Sequence, residues 1–148
     1  MKDINYKLVI VGTGPCEKEL IKYADGFNNI QFKGFQTGED LLNYIRNARC
    51  VVLPSEWYEN CPYSAMESLG KGKPLIVSNF GGLPEIVDDS IDGFVYNNID
   101  ELKKCIEKMI NLTNEQYSSM CKNALEKAKL MFDPDKYIDK LLGIDLNE

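Results

Sequence analysis

Histidine is absent from the 148 residues of this chain. An imidazole general base, and with it a serine–histidine–aspartate triad, is therefore excluded within it. The five cysteines, Cys16, Cys50, Cys61, Cys105 and Cys121, are odd in number and widely spaced. They compose neither a disulfide framework nor a zinc signature, so no metal site is expected. Cys50 and Cys105 read as core residues and Cys61 as a loop thiol. No run of Lys and Arg stands out and the net charge is −6, which argues against nucleic acid as a main partner. No apolar run approaches the roughly 20 residues needed to cross a bilayer. No signal-peptide pattern precedes Lys7, so a cytoplasmic location is the expectation.

What is present is enough apolar material, 44% of the residues, for the packed core of one ordinary domain rather than a disordered chain. Short apolar runs alternate with helical patterns, the signature of a parallel α/β fold with helices on both faces. Lys7–Val11 reads as a buried parallel strand. Gly12-Thr13-Gly14-Pro15 follows as a tight turn, with Pro15 suited to a first helical position. That helix should run to about Asp25 and bury Leu20, Ile21 and Ala24. Gly12-x-Gly14 opens like a dinucleotide fingerprint, but Glu17 stands at the third glycine position, so that fingerprint fails and an NAD-binding reading is disfavoured. A plain strand-to-helix turn without ligand contact accounts for these glycines equally well. Asn29–Lys33 is a second strand, closed by Gly34-Phe35. Glu39–Asn47 is a helix with Leu41, Leu42 and Ile45 inward. Cys50–Leu53, Leu75–Val77 and Gly93–Tyr96 are further strands, about five in all.

The stretch Pro54–Gly72 carries most of the chemical information. It is a polar loop and a short helix between two apolar strands, with Glu59 in the loop and Glu67 in the helix. Ligands of open α/β sheets bind at this end of the strands. Ser64 and Glu67 form S-x-x-E, a capping box that would fold the Glu67 side chain back onto its own helix start. A second reading uses the same helix start. Its free N–H groups and partial positive charge suit a diphosphate, and a carboxylate can accept two bonds from a ribose diol. Glu59 can equally be a solvated loop acid, and Glu56 fits that description as well. Gly81-Gly82 either allows close backbone approach to a ligand or serves a turn. Downstream, Thr113-x-x-Gln116 is another capping box, and Tyr117, Met120, Ala124 and Ala128 form an apolar helical stripe. Phe132-Asp133-Pro134 breaks the helix, and a last helix over 135–142 offers Ile138, Leu141 and Leu142.

Glu59 and Glu67, with seven residues between, match the E-x7-E motif. With Val11-Gly12-Thr13-Gly14-Pro15, Pro54-Ser55, Gly72-Lys73-Pro74 and Gly81-Gly82-Leu83-Pro84-Glu85, the chain resembles the retaining glycosyltransferases of the GT-B fold, especially the large family 4. The resemblance covers nearly the whole chain, 1–148, as part of a C-terminal nucleotide-sugar-binding domain with C-terminal helices over 98–142. It implies a Rossmann-like parallel sheet of about five strands, a UDP- or GDP-sugar as donor and no cofactor or metal. The implied reaction is hexose transfer with retention to a glycan or lipid-linked acceptor, in polysaccharide biosynthesis.

Residue by residue, the resemblance implies that Glu59 faces the donor sugar as the catalytic group and that Glu67 holds the ribose hydroxyls. It sets the backbone at Tyr63 and Ser64 on the phosphates, Gly12 and Gly14 at the nucleotide-sugar cleft, and Gly34 and Phe35 against the base. Phe35 as simple packing is the competing reading. The family's N-terminal acceptor domain has no counterpart in this sequence. Neither does the first strand and helix of its C-terminal domain, whose arginine and lysine Lys71 and Lys73 do not match. The expected partners are therefore a nucleotide sugar and an acceptor domain or completing chain, with room for peripheral membrane association of the whole enzyme. In the family's strand order one further strand lies between Lys7–Val11 and Cys50–Leu53, so these two should either pair with each other or be bridged by a neighbouring chain. The alternative function is a catalytically silent nucleotide or nucleotide-sugar binding module within an assembly.

Overall fold

The structure is a computed structural model that describes residues 6–143; the ends of the domain expected from the sequence, 1–5 and 144–148, lie outside the described residues. The chain divides into two compact units, residues 1–44 and 45–148, and each is taken by itself.

In the first unit, β1 (Leu8–Ile10), α1 (Glu17–Tyr23) and β2 (Ile30–Phe32) make a β-α-β crossover. The strands are parallel, with Leu8 opposite Ile30 and Ile10 opposite Phe32. α1 departs from expectation. It begins at Glu17 with Cys16 as its N-cap, two residues beyond Pro15, and it buries no residue. Leu20 and Ile21, expected inward, are 48% and 46% exposed. The reason is area: two three-residue strands, themselves only half-buried, cannot cover an amphipathic helix. α2 (Gly38–Asn47) follows and runs across the division between the units. Of its expected inward residues Ile45 is buried, while Leu41 and Leu42 are half-buried.

The second unit is built on β3 (Val51–Leu53), β4 (Leu75–Ser78) and β5 (Gly93–Tyr96), parallel in the order β3-β4-β5. β4 is central, and Leu75, Ile76 and Val77 are fully buried, which explains their unbroken apolar run. Successive side chains leave a strand on opposite faces. Leu75 and Val77 join Ala65 and Leu69 of α3 (Tyr63–Gly70), Leu83 and Ile86 of α4 (Leu83–Ile86), and Ala124 and Ala128 of α6 (Asn114–Met131) in one core cluster. On the other face Ile76 stands beside Phe94. There α5 (Ile99–Asn111) packs on the sheet, with Cys105, Ile106 and Met109 buried and Lys108 Nζ 5.7 Å from the Phe94 ring centre. Helices thus cover both faces of this sheet.

The five parallel strands are where the sequence puts them, but they form two ladders, of two and three strands, rather than one. Each strand bonds the neighbour supplied by its own crossover.

The later helices follow their sequence signals. The Thr113–Gln116 capping box forms in both directions. The Asn98 side chain caps α5 by accepting from the Asp100 and Glu101 N–H groups. Arg49 closes the other end of α5 on the carbonyls of Met109 (2.9 Å) and Leu112 (3.2 Å). Its guanidinium lies 4.3 Å from the Tyr117 ring centre, and the Tyr117 hydroxyl donates to the Arg49 carbonyl at 2.7 Å. α7 (Pro134–Leu142) begins at the expected break, with Ile138, Leu141 and Leu142 exposed. Among the described residues no helix is long and apolar enough to cross a membrane.

Candidate functional site

At the carboxyl end of β3 the chain leaves the sheet through Pro54, loops out over Trp57 and Tyr58, and returns at Pro62 to start α3. This loop borders an open cavity of about 200 Å³ lined by Leu53, Pro54, Ser55, Glu59, Pro62, Ser64 and Leu83. Glu59 is half-buried and Glu56 exposed, so the structure separates two acids that the sequence left equivalent: Glu59 borders the cavity and Glu56 does not. The Ser55 hydroxyl lies 3.4 Å from Glu59 Oε1.

α3 begins differently from its sequence pattern. Its N-cap is Pro62, and no side chain caps it. The Ser64–Glu67 capping box is not formed, because Ser64 already lies inside the first turn. The Ser64 carbonyl instead accepts from the Ser68 hydroxyl at 2.6 Å. Glu67 is half-buried, and its carboxylate has no partner among the described residues. The first turn of α3 therefore opens toward the loop with its N–H groups unclaimed by any side chain, the electropositive end of a helix.

Of the expected site residues, Glu59 and Ser64 line the same cavity. Tyr63 is 81% exposed at the helix start. Glu67 stands one turn beyond Ser64 on α3, outside the cavity lining. Gly12, Gly14, Gly34 and Phe35 belong to the first unit. There the Gly12 N–H donates to the Gly34 carbonyl at 2.7 Å, tying together the carboxyl ends of β1 and β2. Phe35 is 72% exposed, so it is not core packing. A shallow depression on α1, bordered by Glu19, Lys22, Tyr23 and Asp25, contains none of the expected residues.

Two thiols of interest differ in environment. Cys61 is an exposed loop residue whose thiol is pushed up by partial burial. Cys50, one residue before β3, is held at about 11 by burial, despite Arg49 beside it. Neither is a ready thiolate at neutral pH.

Sequence reasoning missed Ser78. Its hydroxyl donates to the Ser55 carbonyl at 2.6 Å and so pins the start of the Glu59 loop to the end of β4. The available signal was a hydroxyl ending an otherwise apolar strand, Leu75-Ile76-Val77-Ser78.

Comparison with known proteins bears on this geometry. The family described as "Glycosyl transferases group 1" matches residues 1–127. Among curated proteins, the chain is 28% identical over 133 residues to the uncharacterized glycosyltransferase MJ1178 of Methanocaldococcus jannaschii, covering 87% of this chain and 37% of that protein. It is 34% identical over 112 residues to MJ1607 of the same organism, also described as an uncharacterized glycosyltransferase, covering 72% of this chain and 28% of that one. The chain thus spans about a third of the length of these relatives. Among solved structures, the fold is similar to that of Anabaena Alr3699/HepE in complex with UDP-glucose, at a TM-score of 0.78 and 23% identity over 93% of this chain and 40% of that one. It is also similar to WaaG, a glycosyltransferase involved in lipopolysaccharide biosynthesis, at a TM-score of 0.71 and 19% identity over 92% of this chain and 38% of that one.

Proposed function

Because this chain belongs to the group 1 glycosyl transferases, we propose that it is the donor-binding portion of a retaining glycosyltransferase that takes a hexose from a UDP- or GDP-sugar. The observation that carries the reading is the cavity at the end of β3, where a carboxylate, Glu59, and the uncapped first turn of α3 meet. The two groups have complementary tasks. The N–H groups at Tyr63 and Ser64 suit the diphosphate. Glu59 lines the same cavity as Ser64, and the sugar would follow the phosphates there. Glu67, free of the capping bond, is available to accept from the two ribose hydroxyls.

In transfer, the amides of α3 stabilise the charge that grows on the leaving diphosphate, a group fixed in advance and needing no reorganisation. The Glu59 carboxylate faces the anomeric carbon as positive charge develops there. The Ser55 hydroxyl lies 3.4 Å from one of its oxygens. The acceptor, a glycan or a lipid-linked saccharide, must come from a part of the protein outside this chain. Attack geometry needs donor and acceptor held together, so the chain alone transfers no sugar.

The test is a calorimetric titration of the chain with UDP, GDP, UDP-glucose and NAD. Binding of a nucleoside diphosphate and its sugar, with none of NAD, is the expected result. NAD binding, or binding of no nucleotide, overturns the reading. Nucleotide binding that persists when the acceptor portion is supplied, with no transfer, would instead favour a silent binding module.

A further inference from the structure

Gly81 and Gly82 were open to two sequence readings, close approach to a ligand or a plain turn. The structure gives them a different neighbour, the Glu59 loop of the same chain. A Cβ on Gly81 would stand 2.7 Å from the Glu59 carbonyl oxygen and 2.8 Å from its nitrogen. A Cβ on Gly82 would land on the Asn60 carbonyl oxygen. Only a residue without a side chain lets the two backbones come this close. The contact is bonded as well, since the Gly82 N–H donates to the Glu59 carbonyl at 2.6 Å. Two further ties join the same two loops. The Ser78 hydroxyl holds the Ser55 carbonyl at 2.6 Å, and the Tyr58 and Phe80 rings meet tilted by 44° with 4.6 Å between centres. Every anchor of the Ser55–Asn60 loop named here comes from the five residues that follow Val77.

We propose that the segment Ser78–Gly82 is the template that positions Glu59. Gly81 and Gly82 are then positioning residues that set how well the site recognises the sugar of the donor, as distinct from its nucleotide. The inference rests on the donor-site reading above. Its logic is a division of labour. The helix α3 and Glu67 address the diphosphate and ribose, and none of the ties just named ends on α3. Glu59 addresses the sugar, and its backbone is fixed by that loop on both sides of the residue. Displacing the template should therefore cost the sugar contact and spare the nucleotide contact.

The test compares the affinities of the unaltered chain, Gly82→Ala and Ser78→Ala for UDP-glucose and for UDP. Ser78→Ala removes one tie without any steric overlap, so it keeps the question answerable if Gly82→Ala does not fold. The expected result is a fall of threefold or more in the ratio of UDP-glucose to UDP affinity, with UDP affinity within twofold of the parent. A readout independent of ligand comes from Trp57, the one tryptophan of the chain, which lies in the loop being positioned. Its fluorescence anisotropy should drop in both variants as the loop loosens. Loss of UDP and UDP-glucose affinity in equal proportion, or an unmoved ratio beside a lowered anisotropy, overturns the positioning role while leaving the donor site standing. An unaltered anisotropy overturns the template itself. Binding of neither nucleotide by the unaltered chain overturns the donor-site reading and the proposal with it.

Discussion

Replacing Lys127 by methionine keeps the apolar stem of the side chain and deletes its charge. Lys127 Nζ lies 3.4 Å from Asp92 Oδ2 and 2.9 Å from Asp88 Oδ2. Asp92 is 1% exposed, and its other oxygen accepts the Asp88 N–H at 2.9 Å. Deleting one partner of a buried pair leaves the other charge uncompensated, which costs about 3–5 kcal/mol. The low end, about 3 kcal/mol, applies here because the Asp88 N–H still serves the carboxylate. The Asp88 contact adds little, since Asp88 is a solvated surface partner. In a chain of this length about 3 kcal/mol lowers Tm by roughly 6–12 °C.

The pH dependence has a definite sign. Burial pushes the Asp92 carboxyl above the ordinary carboxylate range, and Lys127 opposes the shift. A raised folded value means the native state keeps its proton to higher pH than the unfolded chain. The associated stability is fully present below the unfolded carboxylate value and is lost as pH rises through the folded one. Without Lys127 the folded value rises further, so the variant is worst near neutrality and recovers as Asp92 protonates. Thermal unfolding followed by circular dichroism at pH 7 and pH 5 measures both effects. A deficit under about 1 kcal/mol at pH 7, or one that does not shrink on acidification, would refute the argument.

Three other outcomes are expected. Glu67→Gln should leave Tm nearly unchanged and weaken nucleoside-diphosphate binding by roughly 1.5–3 kcal/mol, the worth of a hydrogen bond to a charged group; unchanged affinity in a calorimetric titration would remove the ribose role from Glu67. Ser64→Ala should cost no more than about 0.5 kcal/mol in denaturant unfolding, because Ser64 caps nothing; a loss near 1 kcal/mol would restore the capping box. Tyr117→Phe should cost about 1 kcal/mol through the bond to the Arg49 carbonyl, and an unmoved denaturant midpoint would show that bond to be idle.

Much of the architecture was legible because its signals are local. β4 announced itself as an unbroken apolar run, and the Thr113–Gln116 box marked the start of α6 within one residue. What failed to show depends on partners distant in sequence. The apolar stripe of α1 states which face is sticky, not whether anything covers it, and Leu20 and Ile21 stay half-exposed because the sheet beneath is small. The Ser64-x-x-Glu67 pattern is satisfied equally by a helix that starts at Ser64 and by one that starts earlier. Pro62, which has no N–H to lose at a helix start, took the cap and freed Glu67. Glu56 and Glu59 sit in a loop without periodicity, so only the folded backbone distinguishes the exposed acid from the cavity acid. The use of Gly81 and Gly82 was hidden for the same reason, since the residue they accommodate lies some twenty positions earlier.

The donor site is tested most directly by a nuclear magnetic resonance titration of the nitrogen-15-labelled chain with UDP-glucose, which reports even weak binding residue by residue. The account predicts saturable shifts of the Ser55, Glu59, Tyr63, Ser64 and Gly82 amides, following one common binding curve. Shifts confined to residues away from the end of β3 and the start of α3, or no saturable shift at millimolar ligand, would contradict it.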